Sequence, residues 1–250
     1  MSSKFGSIFI MKYEKVVKGK FIERPNRFIA TVSIDGREDF AHVKNTGRCK
    51  ELLIDGATVY LEDHKDHMGK RKMRYSLIGV EKETSYGNLM INIDSQAPNK
   101  VVGEALACGY IRLKGMNSLT DIKPEAIYGN SRIDFRVRDC DGKEAYIEIK
   151  GVTLESGGIA SFPDAPTERG IKHLLELENA VKDGKAAFAV FVIQMKGVKL
   201  FRPNDDRHKA FGDALRHANN NGVEVLAFDC FVSEDKLILG KEIKVDLGEY

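Results

Sequence analysis

Two carboxylates and an ammonium, Asp134, Glu148 and Lys150, fall where strand geometry would gather them. Ile133, Phe135 and Val137 alternate with Arg132, Asp134 and Arg136, and Ile147 and Ile149 alternate with Tyr146, Glu148 and Lys150. Both runs have the period-two pattern of a half-buried strand. Asp141-Gly142 between them is a turn signal, so residues 132–150 read as an antiparallel hairpin with one apolar and one charged face. Register decides the chemistry. A two-residue loop at Asp141-Gly142 sets Asp134 opposite Ile149 and aims it away from Glu148. A three-residue loop, Cys140 to Gly142 with Gly142 left-handed, sets Asp134 opposite Glu148. Carboxylates that close repel unless a cation lies between them, and a hard divalent ion such as Mg²⁺ or Mn²⁺ suits their oxygens. Lys150 adds a compact charge beside such an ion, placed to orient a water or meet a phosphate oxygen. The other reading of these residues is a solvated strand face laced with ion pairs.

The elements that must position this group lie on either side of it. Residues 86–98 read as a connector ending in Ala97-Pro98, with Asn99 as N-cap of a helix towards Gly109 whose apolar face is Val101, Val102, Ala105 and Leu106. After the hairpin, Pro166 and Thr167 open a second helix that Gly184 ends, with Ile171, Leu174, Leu175 and Val181 as its buried stripe. Arg169 and His173 are four residues apart on it and so face one way, with Glu168, Lys172 and Glu176 on the polar side. A buried strand at 186–194 (AAFAVFVIQ), a helix at about 206–219 and a strand at 223–231 follow. Strand, helix and strand in this order give a sheet with helices on its faces.

Residues 12–83 have a different texture. Runs at 20–24, 27–34, 38–43, 57–62 and 73–80 read as strands, broken at Pro25-Asn26, Asp35-Gly36 and Asp55-Gly56. Five short strands in some seventy residues suit a small barrel of the OB type, with Cys49–Ile54 as its short helix. Such barrels bind single strands with basic grooves and aromatic platforms. Phe21, Phe28 and Tyr75 are the stacking candidates, the two phenylalanines reading better as core, and Lys70, Arg71, Lys72 and Arg74 form a dense basic loop. His64 and His67, in EDHKDHMGK, have no second ligand cluster with structural-site spacing and read as a solvated turn.

The spacing D-x(13)-E-I-K resembles the signature of PD-(D/E)XK nucleases. More specifically, HVKNTGRCKELL (42–53), NKVVGEAL (99–106), YGNSRIDF (128–135), YIEIKGVTL (146–154) and FPDAPTERGIKHLLEL (162–177) resemble the sugar fermentation stimulation protein family (SfsA) over nearly the whole chain. The resemblance implies an α+β two-domain protein, an OB-like β-barrel at 12–85 and an α/β PD-(D/E)XK nuclease-like domain at 86–250, after a leader at 1–11. It implies DNA binding without marked sequence preference. It brings Glu104 of the first helix towards the metal, and it makes Arg169, Lys172 and His173 of the second candidates to meet the scissile phosphate or attacking water. The metal ligands are then Asp134, Glu148 and the backbone carbonyl of Ile149.

Composition narrows the classes further. The 250 residues contain no tryptophan, no long apolar run and no glycine-rich phosphate loop, which excludes a helical membrane protein and a P-loop nucleotidase. Net charge is only +2, but residues 1–85 hold 17 Lys+Arg against 12 Asp+Glu, and residues 86–250 hold 22 against 25. A basic N-terminal part beside a mildly acidic C-terminal part fits a nucleic-acid grip joined to a carboxylate site. Cys49, Cys108, Cys140 and Cys230 lack C-x-x-C spacing, and the N-terminus lacks a signal-peptide pattern, which together point to the cytoplasm. Two functions follow: a Mg²⁺- or Mn²⁺-dependent phosphodiesterase acting on DNA, or a non-catalytic regulatory protein that binds DNA on the same fold. Oligomeric state stays open.

Overall fold

The computed structural model describes residues 11–45, 47–84 and 87–248. A two-residue strand, β1 (Met11–Lys12), precedes the first long one, β2 (Val16–Asn26). Then come β3 (Ile29–Ile34), β4 (Arg37–Val43), β5 (Thr58–Asp63), β6 (Tyr75–Thr84) and β7 (Gly87–Asn92). Strands β2 to β6 form a ring in the order β4-β3-β2-β5-β6, closed by the parallel pairing of β4 with β6. Alternation of inward Val32, Ala41, Val43, Val59, Leu61 and Leu77 with outward polar residues supplies its filling. This is the OB barrel that the turn punctuation predicted. Two details differ. Residues 49–54 make a single turn, with Leu52 N and Leu53 N both donating to the Cys49 carbonyl, rather than a helix. The expected connector contains β7, antiparallel to β6, so the barrel sheet extends to Asn92.

Helix α1 (Ala97–Ala107) follows, then β8 (Leu119–Tyr128), β9 (Ser131–Asp139), β10 (Glu144–Val152), β11 (Leu154–Ser156), β12 (Ile159–Phe162) and α2 (Glu168–Lys182). The chain finishes with β13 (Ala186–Ile193), β14 (Leu200–Pro203), α3 (Asp205–Asn220), β15 (Glu224–Ser233), β16 (Lys236–Glu242) and β17 (Lys244–Val245). The main sheet has the order β1-β16-β15-β13-β10-β9-β8, in which β10, β13 and β15 are parallel. Met11, expected in the leader, is 4% exposed in β1 at the edge of this sheet; residues 1–10 lie outside the described residues. Helix α1 covers one face of the sheet and α2 the other, with α3 packed beside α2. Strands buried on both faces read as continuous apolar runs, which is why β13 (AAFAVFVI) shows no alternation.

Phe191 of β13 anchors the α2 side. It is fully buried, stacks on Phe201 at 4.2 Å between ring centroids and meets Phe162 at 5.7 Å. Truncation leaves a cavity that the surrounding rings cannot close. Phe191→Ala is expected to lower unfolding free energy by about 3–5 kcal/mol in a urea titration, with the denaturant slope unchanged.

Candidate active site

The hairpin adopts the register that gathers the three groups. Glu144 pairs with Arg138, Tyr146 with Arg136 and Ile147 with Phe135, and continuing that register sets Asp134 opposite Glu148. The loop is the three-residue one: Asp139 N donates to the Lys143 carbonyl, and Gly142 is left-handed at φ 81°. In place of a backbone partner on β9, Ile149 N donates to Asp134 Oδ2 at 2.7 Å. Asp134 Oδ1 accepts from Asn99 Nδ2, also at 2.7 Å.

The face expected to be charged and solvated is covered by α2. Glu148 is therefore 3% exposed. Its Oε1 accepts from Lys150 Nζ at 2.6 Å and from His173 Nδ1. Arg169 Nε donates to His173 Nε2 at 3.3 Å, which assigns the imidazole proton to Nδ1. Glu148 Oε2 is buried and has no hydrogen-bond partner. Burial pushes the Glu148 carboxyl up, but the His173 hydrogen bond and the Lys150 ammonium outweigh that and hold it below the ordinary carboxylate range. Burial raises Asp134, and the neighbouring Glu148 charge raises it further.

Among the described residues no three His, Cys, Asp or Glu side chains converge as a metal cage. The donor set nevertheless fits a hard divalent ion. Mg²⁺ is commonly held by one or two carboxylates with waters completing its shell, and an orphaned Glu148 oxygen beside Asp134 offers such a place.

The other candidates divide. His173 and Arg169 join the Glu148 network. Lys172 reaches the β8–β9 turn, donating to the Asn130 carbonyl at 3.0 Å. Glu104 is not gathered with the pair. Its carboxylate takes the Met11 backbone N–H, and burial raises its pKa. Asn99, placed as an N-cap by the sequence pattern, lies inside α1 behind Gln96 and Pro98, and its amide serves Asp134 instead. The buried face of α2 also differs. His173, Leu174, Leu177, Glu178 and Ala180 are buried while Leu175 is 49% exposed, because two polar residues on that face have internal partners, His173 on Glu148 and Glu178 on His217.

In the barrel loop Lys70, Arg71 and Lys72 are exposed. Arg71 reaches Ser76 Oγ at 3.3 Å. Arg74 is committed elsewhere, making a two-pronged pair with Asp63 at 2.7 Å per bond. That guanidinium holds the Asp63 carboxyl down at about 2. Phe21 and Tyr75 are core, and Phe28 is exposed with Arg27 stacked 4.7 Å from its ring. His64 is half-buried against Ser76 Oγ at 2.9 Å rather than solvated.

An OB barrel joined to an α/β domain is thus the class this chain represents. Family models match both halves: the SfsA N-terminal OB domain at residues 22–93 and the sugar fermentation stimulation protein RE domain at residues 96–236. The chain belongs to the sugar fermentation stimulation protein family. It is 54% identical over 237 residues to a sugar fermentation stimulation protein homolog of Clostridium beijerinckii, covering 95% of this chain and 100% of that one. A homolog from Desulfitobacterium hafniense is 51% identical over 240 residues, covering 96% of this chain and 100% of its own. The solved structure of Pyrococcus furiosus SfsA in complex with Ca²⁺ superposes with a TM-score of 0.83 at 29% identity, covering 94% of this chain and 98% of that one.

Asn99 orients one of the two carboxylates, as the outer hydrogen-bond partners of metal ligands do. Asn99→Ala is expected to weaken Mn²⁺ binding about tenfold or more by titration calorimetry while leaving the thermal unfolding midpoint nearly unchanged.

Proposed function

We propose that this protein is a divalent-metal-dependent phosphodiesterase acting on DNA. The observation that carries this is the unpartnered, buried Glu148 Oε2 beside Asp134. A buried carboxylate oxygen without a donor is costly, and a cation is the partner that would justify retaining it. The Ca²⁺ complex of the Pyrococcus furiosus relative supports a hard-ion site on this fold.

Asp134, Glu148 and the carbonyl of Ile149 would hold Mg²⁺ or Mn²⁺. The ion, when bound, neutralises phosphate charge and lowers the pKa of a coordinated water. Asn99 and the Ile149 N–H fix Asp134, and His173 fixes Glu148. Lys150, with its ammonium on the Glu148 carboxylate, would steer a water or meet a non-bridging phosphate oxygen. Arg169 is exposed and its Nε donates to His173, and its terminal nitrogens would meet phosphate. Lys70, Arg71, Lys72 and Lys172 supply the sequence-independent hold on the backbone. Free cysteines at all four positions fit a reducing cytoplasm.

The decisive comparison is wild type against Asp134→Ala, with radiolabelled DNA and Mn²⁺ or Mg²⁺. Cleavage is expected to be abolished while DNA binding stays intact or tightens, since one negative charge near phosphate is gone. Binding lost in step with activity, in a folded variant, would make the pair structural. Absence of wild-type cleavage across single- and double-stranded substrates would leave a DNA-binding protein on a nuclease fold.

The basic loop gives a separate expectation. Replacing Lys70, Arg71 and Lys72 together by alanine should weaken binding equally across unrelated sequences. The slope of log affinity against log salt should become shallower by about one for each phosphate no longer neutralised. An unchanged slope, with a clear loss of affinity in Arg169→Ala, would move the binding surface to the α2 side.

A further inference from the structure

A cavity of about 330 Å³ opens between the two domains, bounded by Asn45 and Gly47 of the barrel, Gly151–Leu154 at the end of β10, the segment Ser161–Thr167 and Gln194. It lies beyond the carboxyl ends of the parallel strands β10 and β13, where open α/β sheets bind their ligands. Three chain segments carry it directly into the carboxylate site. Gly151 follows Lys150, Thr167 stands two residues before Arg169, and Pro98, against which Gly151 packs, precedes Asn99.

Its chemistry differs from that of the neighbouring site. Among the described residues no lysine or arginine lines it, and the one formal charge there, Asp164, accepts the Arg48 backbone N–H at 3.2 Å. A phosphate has no counter-charge there. The walls are Phe162, Pro163 and Val152, with neutral hydrogen-bonding groups between them. Gln194 is the most informative of these. It is 1% exposed, and its Nε2 donates to Asn92 Oδ1 at 2.8 Å and to the Asp94 carbonyl at 3.0 Å. Those two acceptors fix the amide, leaving Oε1 against Gly151, where a methyl group would approach it to 2.5 Å. No donor within the described chain reaches that oxygen.

We propose that this cleft receives one unpaired nucleobase of the strand whose phosphate lies at Lys150 and Arg169, with Gln194 Oε1 accepting from an amine or ring N–H. This rests on the phosphodiesterase reading and narrows its substrate class to single-stranded or locally opened DNA. The volume suits one nucleoside-sized ligand, at the low end of the roughly 300–1,000 Å³ typical of small-molecule pockets. The Watson–Crick-edge N–H groups that Gln194 would bind are engaged in a base pair, and a cleft closed on several sides admits a base only once it has left the stack.

The test measures binding with EDTA present, by fluorescence anisotropy of the full chain. Probes are a base-bearing oligonucleotide, an abasic strand with the same number of phosphates, and a blunt duplex. Wild type is expected to bind the base-bearing strand about tenfold more tightly than the abasic one, the low end of what one stacked base contributes. It is also expected to prefer that strand to the duplex. Ser161→Phe, which fills the cleft, and Ala165→Trp, at its rim, should both erase the preference while leaving abasic affinity unchanged. The rim variant keeps the test alive should the first fail to fold. Asp134→Ala should preserve the ratio. Equal affinity for base-bearing and abasic strands would overturn the pocket while leaving the phosphodiesterase reading standing. So would a preference lost in Phe28→Ala yet kept in both cleft variants, since the base would then stack on the barrel. Failure to bind any strand would overturn both.

Discussion

The local architecture depends on one buried carboxylate. Glu148 projects from a central strand into the space beneath α2, where desolvation penalises its charge. It stays ionised because Lys150 two residues on and His173 across the interface both meet Oε1. This places demands on everything around it. α2 must dock with His173 facing inwards, which its Thr167 cap helps set by accepting from Gly170 N at 3.0 Å. Arg169 then follows one turn before His173 at the open side. The same ion pair that costs solvation leaves Oε2 without a donor, and that residual need is the most specific chemical feature of the molecule.

A second buried carboxylate joins the domains. Asp94, 1% exposed, accepts from Lys44 Nζ at 2.8 Å, from Tyr13 OH at 3.3 Å and from Gln96 N at 2.9 Å. Asn92 donates to Tyr13 OH and exchanges bonds with Gln194, whose carbonyl accepts the Asn92 N–H and whose side chain binds Asn92 Oδ1. Lys44 leaves the barrel strand β4, Asp94 precedes α1 and Gln194 ends β13, so one polar cluster ties barrel, helix and sheet together. Such a buried polar network in a low-dielectric setting fixes geometry more than it adds stability. It lies beside the carboxyl ends of the parallel strands, and Gln194 belongs both to it and to the lining of the cleft between the domains.

Much of this was legible from residue order. Strict alternation in 132–150 decided the hairpin register, since a one-residue slip would turn Ile147 and Ile149 to the wrong face. Gly142 decided the loop, because only a left-handed residue completes it at low cost. Turn residues at 35–36 and 55–56 marked two of the barrel's strand breaks, whereas Pro25-Asn26 stays within β2 and the turn follows it at Arg27-Phe28. In each case the information is local, within reach of a few backbone torsions.

Tertiary structure alone decided which face was truly exposed and which polar residues met. Glu148 reads as a surface strand residue until α2 covers it. His173 and Glu178 are polar residues on a helix, and only their partners, 25 and 39 positions away, accept them into the interior. Asn99 follows Pro98 as a cap would, and only the packing of α1 on the sheet gives its amide to Asp134. Glu104 sits on the turn after, rotated towards β1. Arg74 belongs to a basic run by order and to Asp63 by proximity. Local propensity fixes the torsions that make a strand or a turn. Whether a charged group serves chemistry, packing or solvent depends on what desolvates it and what answers its charge, and those partners come from distant parts of the chain.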